Sequence, residues 1–391
     1  MVANVFIWYL YSGRFLTEIT GASAFSSFET SVVWGVNVLG TATAAVLGVS
    51  LAYRVRQRIR FLRYWLLAGI TLSLAPLAFD VTGFTASAVF FTLVGVYFGL
   101  GMPVSLGYFA ASTQAENRSR QGGLAFLIIF ASLFLLGALR IDDVALNAVV
   151  LAACEAVTLA LTFGMKLEER EIGSKDKVSY RNIVTNKAFL LYFVPWMMFS
   201  AVNFVTLPVV NEIFPELFEY SGMVENLLAA MCAVICGFLG DYIGRKRVVL
   251  GGFALLGLGY ASLGLFTDSI VGWWFYTAVD GVAWGAFYAI FLMAIWGDIA
   301  QRKSSEKYYT LGYLPFVLSV YTQLSIGTSI SSAVFKTAVF SFASVFLFLA
   351  VLPLAYAPET LPEKAVKDRE LRDYLEKAMR AKTQSDAEAA R

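Results

Sequence analysis

Four ionisable side chains, Arg14, Glu18, Glu155 and Asp280, each interrupt a long apolar run. A charge in mid-hydrocarbon costs about 2.5–3.5 kcal/mol on insertion scales, so residues in such places are functional candidates. Arg14 and Glu18 are four apart, hence on one face of a helix. The planar fork of Arg14 suits a carboxylate or phosphate and points to an anionic group on a ligand. Withdrawal from water disfavours the charged form of a carboxyl, the chemistry a proton carrier needs at Glu18 or Asp280. The competing reading is that Arg14 pairs permanently with Glu18 or Asp280 and only joins helices. Glu155 is read as a structural partner or a second coupling group. Glu225 lies one turn inside its run and is read as reaching the surface.

Binding-type side chains accompany these charges. Trp196 and Asn203 lie between Pro195 and Pro208, Tyr97 precedes Pro103, and Trp284 lies between Gly281 and Gly285. Proline and glycine bend helices or let them approach closely. The aromatics suit an aromatic ligand, although core packing is the plainer account of any single one. A separate polar patch, GFLGDYIGRKR, runs from Gly237 to Arg247. Gly244 permits a tight turn. The carboxylate of Asp241 suits a helix N-terminus, and Arg245 to Arg247 suit anionic headgroups or Asp241 itself.

The elements that hold these residues follow from composition. The chain has 391 residues, 58% hydrophobic and only 15% charged, whereas a soluble domain is nearer a quarter charged. A hydrocarbon layer of ~30 Å takes about 20 residues of helix. Apolar runs of that kind fall at 2–20, 31–53, 63–80, 84–109, 121–139, 144–164, 188–210, 221–240, 248–267, 270–297, 308–330 and 337–356. The first is the weakest, and residues 1–20 are read either as a full span or as the remnant of a longer start. No cleavable signal peptide is expected. The fold class is therefore an all-α polytopic membrane protein.

Basic residues concentrate in alternate connections, 54–62, 110–120, 165–187, 241–247 and 298–307, while the opposite ones hold only Arg140 and Lys336. The positive-inside rule then places both termini and the Gly237–Arg247 patch in the cytoplasm. The polar break at 165–187 separates 1–164 from 188–356, each with six spans, and 357–391 forms a charged tail. The halves echo one another at an offset of 189 residues: Asn37 with Asn226, Gly48 with Gly237, Tyr53 with Tyr242, Arg56 with Arg245, and Arg58 with Arg247.

A net charge of +2 and no histidine give no reason to expect nucleic acid, a metal or a cofactor. Cys232 and Cys236 are one turn apart but lack further ligands for a closed site. A lipid-modifying enzyme would need clustered acidic metal ligands, and RIDD at 140–143 is the one adjacent acidic pair near a helix end.

Gly237, Leu239, Gly240, Asp241, Gly244, Arg245 and Lys246 fill every slot of G-x-L-small-D-x-x-G-R-[KR]. This resembles the cytoplasmic loop signature of the major facilitator superfamily. The resemblance implies twelve transmembrane helices in two pseudo-symmetric six-helix bundles and a central cavity lined by helices one, four, seven and ten. Arg14, Glu18 and Asp280 would face that cavity. Asp241 would meet the start of helix five near Gly122, as part of a cytoplasmic gate. The first-half copy departs from the pattern, with Ala52 for the aspartate and Val55 for the glycine. Subfamily signatures are sparse: "PET" at 358–360 resembles a sugar-porter tail, but the companion motifs are missing. The expected function is secondary active transport of a small organic solute by alternating access, proton-coupled, in a monomer set among the lipids of the cell membrane. A transporter-like sensor is the alternative.

Overall fold

The computed structural model describes residues 1–22, 25–139, 141, 143–165, 178–301, 304–322 and 336–362. Most of the expected linker, most of the tail, and Arg140 and Asp142 of the RIDD stretch lie outside the described residues. Among those described, twelve long helices follow one another. The first six are α1 (Val2–Ala22), α2 (Ser27–Val55), α3 (Arg58–Leu74), α4 (Phe84–Ser112), α5 (Arg118–Ala138) and α6 (Val144–Gly164). The last six are α7 (Lys187–Asn211), α8 (Pro215–Ile243), α9 (Arg245–Leu265), α10 (Ile270–Phe287), α11 (Ser305–Thr322) and α12 (Lys336–Tyr356). Helix α10 continues through a widened π-helical stretch, Tyr288–Ile295, into a last α turn, Trp296–Ile299.

Local chemistry sets several of these ends. Ser26 and Glu29 form a reciprocal capping box at α2, which satisfies two orphan donors. Asp143, Asn186 and Ser269 cap α6, α7 and α10 with side-chain oxygens, the standard remedy for unpaired N–H groups. Gly244 separates α8 from α9 at φ +104°, a conformation that disfavours any side chain.

Among the described residues, nine helices are long and apolar enough to cross a membrane: α2, α4 to α10 and α12. The other three expected spans fall short for distinct reasons. Asn4, Ser12, Arg14 and Glu18 make α1 polar. At 17 residues α3 spans about 26 Å at 1.5 Å per residue. The described part of α11 ends at Thr322, with residues 323–335 outside the described set. Large apolar side chains such as Leu39, Phe134, Leu135, Phe163, Leu227 and Phe342 are exposed on the outside of the bundle. Hydrocarbon accepts such a surface and water does not.

Within the first six helices, α2 lies along α4, α1 packs on α4, α5 and α6, and α3 packs on α6. Within the last six, α8 and α9 pack on α10, and α12 packs on α7 and α9. The main contacts between the two sets are α2 and α4 with α11, and α5 with α8 and the π-helical stretch of α10.

Candidate functional site

Three links join the two sets of helices at one end of the bundle, the end that carries the basic connections. In the first, Asp241 at the end of α8 accepts from the backbone N–H groups of Ser119 (3.2 Å) and Arg120 (2.8 Å), in the first turn of α5. Those donors have no partner within the helix, and the dipole there favours a carboxylate. This is the kind of pairing the loop signature implies, three residues before Gly122. The close crossing depends on Gly237, where a Cβ would stand 2.5 Å from the Ser119 carbonyl oxygen.

Asp298 makes the second link. It sits on the last turn of α10 and pairs with Arg118 of α5 and Arg245 of α9. Arg118 also donates to the Ala110 carbonyl at 2.7 Å and to Thr113 Oγ1 at 3.1 Å. Arg245 donates to Ser119 Oγ at 2.8 Å and to Asp241 Oδ1 at 3.2 Å. The sequence reading offered Arg245 to Arg247 either lipid headgroups or Asp241. For Arg245 the structure shows the second: the side chain is 0% exposed, enclosed by two aspartates and the start of α5. Only Arg247 of the three is exposed. Lys246 Nζ donates to the Ala355 carbonyl at 2.7 Å.

The third link, Arg58 of α3 with Glu306 of α11, has contacts of 2.6 and 2.7 Å and lies 7% and 1% exposed. Arg58 belongs to the degraded first-half copy of the signature. The carboxylate missing at Ala52 is supplied from the facing helix. Beside this pair, Lys307 donates to the Val178 carbonyl at 2.8 Å and lies over the rings of Tyr53 and Tyr180. Burial raises the Tyr180 hydroxyl above its ordinary value, so that ring meets the ammonium uncharged.

The seam between the two sets holds a cavity of about 200 Å³ away from the basic end. Tyr9, Leu10, Ser12, Gly13 and Leu16 of α1, with residues of α2, α4, α7 and α11, line it. The sequence reading placed Arg14, Glu18 and Asp280 at a central cavity; none of them lines this one. Arg14 binds Glu18 at 2.8 Å, with the two side chains 41% and 37% exposed, and reaches toward Gly137 of α5. One residue is about 100° of helix, so Gly13 faces the seam while Arg14 faces α5.

Asp280 is buried among the last six helices instead. Its Oδ2 accepts from the Tyr276 hydroxyl at 3.3 Å, Tyr276 reaches the Tyr260 hydroxyl at 3.4 Å, and Tyr260 shares 2.7 Å with Thr206 Oγ1. Glu225 of α8 adjoins Asp280 and interacts with it electrostatically, so Glu225 does not simply reach the surface. Glu155, 0% exposed, accepts from Asn4 at 3.0 Å beside Tyr97, which stacks on Trp65 at 4.5 Å. Trp196 donates to the Gly312 carbonyl at 2.8 Å and stacks on Phe291. Both rings are therefore core. Trp284 stacks on Tyr288 and meets Phe316, a cavity residue, edge-on. Asn203 is buried next to Phe204, another cavity residue.

No protein-family model matches the sequence, and no curated protein matches it significantly. Solved structures do. A structure of the MFS (major facilitator superfamily) proton:xylose symporter XylE, bound to 6-bromo-6-deoxy-D-glucose, is similar with a TM-score of 0.68 at 14% identity, over 92% of this chain and 94% of that one. The human organic anion transporter MFSD10 (TETRAN) is similar with a TM-score of 0.62 at 15% identity, over 89% of each chain. The MFS transporter FucP in its outward conformation is similar with a TM-score of 0.65 at 11% identity, over 91% and 97%. The chain has the major facilitator fold.

Within this major facilitator fold, the patch at Gly237–Lys246 supplies Asp241 to the first link and Arg245 to the second, whereas Asp298 and Glu306 were not singled out from sequence. Asp298 and Glu306 lie in a connection rich in charge, where nothing local distinguishes a buried carboxylate from a solvated one. The sequence repeat marked the vacancy at Ala52 but carried no pointer to Glu306.

Proposed function

We propose that this chain is a secondary transporter that moves a small organic solute across a membrane by alternating access. The observation that carries the proposal is the seam cavity with links between the two helix sets closing one end. Rocking of 1–164 against 188–356 would break those links and open that end to the cavity. Residues 165–187 act as the connecting linker and 357–391 as a tail. By the positive-inside rule the linked end is cytoplasmic, with both termini on that side of the cell membrane. On this reading the conformation is closed inward, and the protein works as a monomer.

We assign coupling to a proton carried by Asp280 with Glu225 beside it. Two adjoining carboxyls disfavour double ionisation, and the Tyr276–Tyr260–Thr206 chain extends the polar path. Arg14 and Glu18, satisfied by one another at 2.8 Å, act as a structural pair. The related fold in the proton:xylose symporter and the organic anion transporter supports transport as the class, and carries neither substrate over at such identities.

The test needs no known substrate. Spin labels at Gln57→Cys and Arg247→Cys, in protein lacking Cys154, Cys232 and Cys236, report the separation of the two sets at the linked end. Two interconverting distances whose balance moves with pH are expected. One invariant distance across pH 5 to 9 and in the link variants described below would rule out alternation.

A further inference from the structure

We infer that the seam cavity is a binding site for a small, uncharged, largely apolar solute about one substituted aromatic ring in size. Calling that solute the cargo rests on the transport reading; the chemistry of the site does not.

The lining decides the class. Tyr9, Leu16, Trp34, Phe91, Phe204 and Phe316 supply most of the wall, and among the described residues no charged side chain lines it. Two of its polar side chains, Asn37 and Ser12, have partners already, and Tyr9 and Trp34 add a hydroxyl and an indole N–H to the wall. Asn37 gives its amide to the Phe91 carbonyl at 2.7 Å, and Ser12 donates to the Tyr9 carbonyl at 2.8 Å. The nearest charge in sequence, Arg14, is held by Glu18 and turned toward α5. An ionic ligand would lose its hydration with no counter-charge to replace it, a penalty of several kcal/mol. A sugar would bury more hydroxyls than Tyr9 and Trp34 can pair, at about 1–3 kcal/mol for each one left over. A bare or lightly substituted ring meets neither penalty and gains flanking aromatic contacts.

Size agrees. A dry apolar cavity of ~150 Å³ holds benzene, and this one has about 200 Å³. Gly13 marks where the space lies: a Cβ built there has nothing within 4 Å. The glycine leaves room in the wall that a side chain would occupy. Gly13→Leu therefore fills the cavity from inside an intact helix, in a direction that also favours helix formation.

The test is equilibrium dialysis of three probes of one size and different charge, p-cresol, p-toluate and p-methylbenzylamine, together with D-xylose. The protein is held in lipid nanodiscs, and empty discs are subtracted. We expect p-cresol to bind at least tenfold more tightly than the other three. Gly13→Leu should weaken it at least tenfold without lowering the thermal midpoint of the empty protein, and Gly13→Ala should weaken it less. Tighter binding of p-toluate, the amine or xylose overturns the class. Binding of p-cresol that survives Gly13→Leu overturns the site, as does absence of binding by every probe. If binding behaves as expected but the spin-label distance never changes, the transport reading fails and the site stands.

Discussion

Removing Arg58 should shift the conformational balance more than removing any other single cation at the basic end outside the Asp298 cluster. Its guanidinium and the Glu306 carboxylate are 7% and 1% exposed and touch at 2.6 Å. Breaking one partner of such a buried pair costs about 3–5 kcal/mol, because the other charge stays buried alone. Once the two sets of helices part, both groups meet water, where an exposed pair contributes only about 0–1 kcal/mol. The difference, about 3 kcal/mol, falls on the closed state and corresponds to a population change of roughly 100-fold. In the Gln57/Arg247 spin-label pair, Arg58→Ala should move most of the signal to the long distance, and Glu306→Gln should act similarly but less. The double variant should fall short of the sum, since the second removal takes away a charge already stranded. If each single variant folds normally and keeps the wild-type distance distribution, the pair is not a link that breaks, and the reasoning is refuted.

Other outcomes follow from the remaining contacts. Asp241→Asn should shift the same distances by a smaller factor, about 1–2 kcal/mol, because an amide oxygen still accepts from α5 while Arg245 loses one carboxylate and keeps Asp298 and Ser119. Glu359 accepts from the N–H groups of Arg245 (3.0 Å) and Lys246 (3.2 Å), so Glu359→Ala should lower thermal stability by about 0.5–2 kcal/mol as a lost cap does. Gly244→Ala, at φ +104° and against the Glu359 carboxylate, should cost about 1–3 kcal/mol in thermal unfolding. Asp280→Asn should abolish the pH dependence of the label distances while Glu18→Gln preserves it; the reverse result would return coupling to α1.

Much of the architecture was legible because its signals are local or periodic. Hydropathy marked every long helix, the Gly237–Lys246 spacing marked the α8–α9 turn, and the family resemblance it carries implied a partner for Asp241 at the start of α5. The rotation of α1 was not legible. Arg14 and Glu18 share a face by spacing, but whether that face meets the cavity or α5 depends on neighbours far along the chain. Hydropathy cannot choose, since Gly13, Leu16 and Tyr9 read as ordinary apolar filling. Nor could the repeat reveal that the carboxylate absent at Ala52 reappears at Glu306, 248 residues beyond Arg58.

The π-helical stretch at Tyr288–Ile295 has a consequence for how sequences of this kind can change length. A wide turn carries one residue more than an α turn, so the stretch stores an insertion without lengthening the helix much. Deleting any one residue there would restore regular α geometry and look harmless in hydropathy. Because the wide turn closes about one full rotation with its extra residue, that deletion would leave the following turn facing much as before, with Asp298 still directed at Arg118 and Arg245. A single deletion in the regular α stretch Ile270–Phe287 has no such reserve and would turn Asp298 by about 100° away from both arginines, so this helix tolerates a change of length at one place and not at the other.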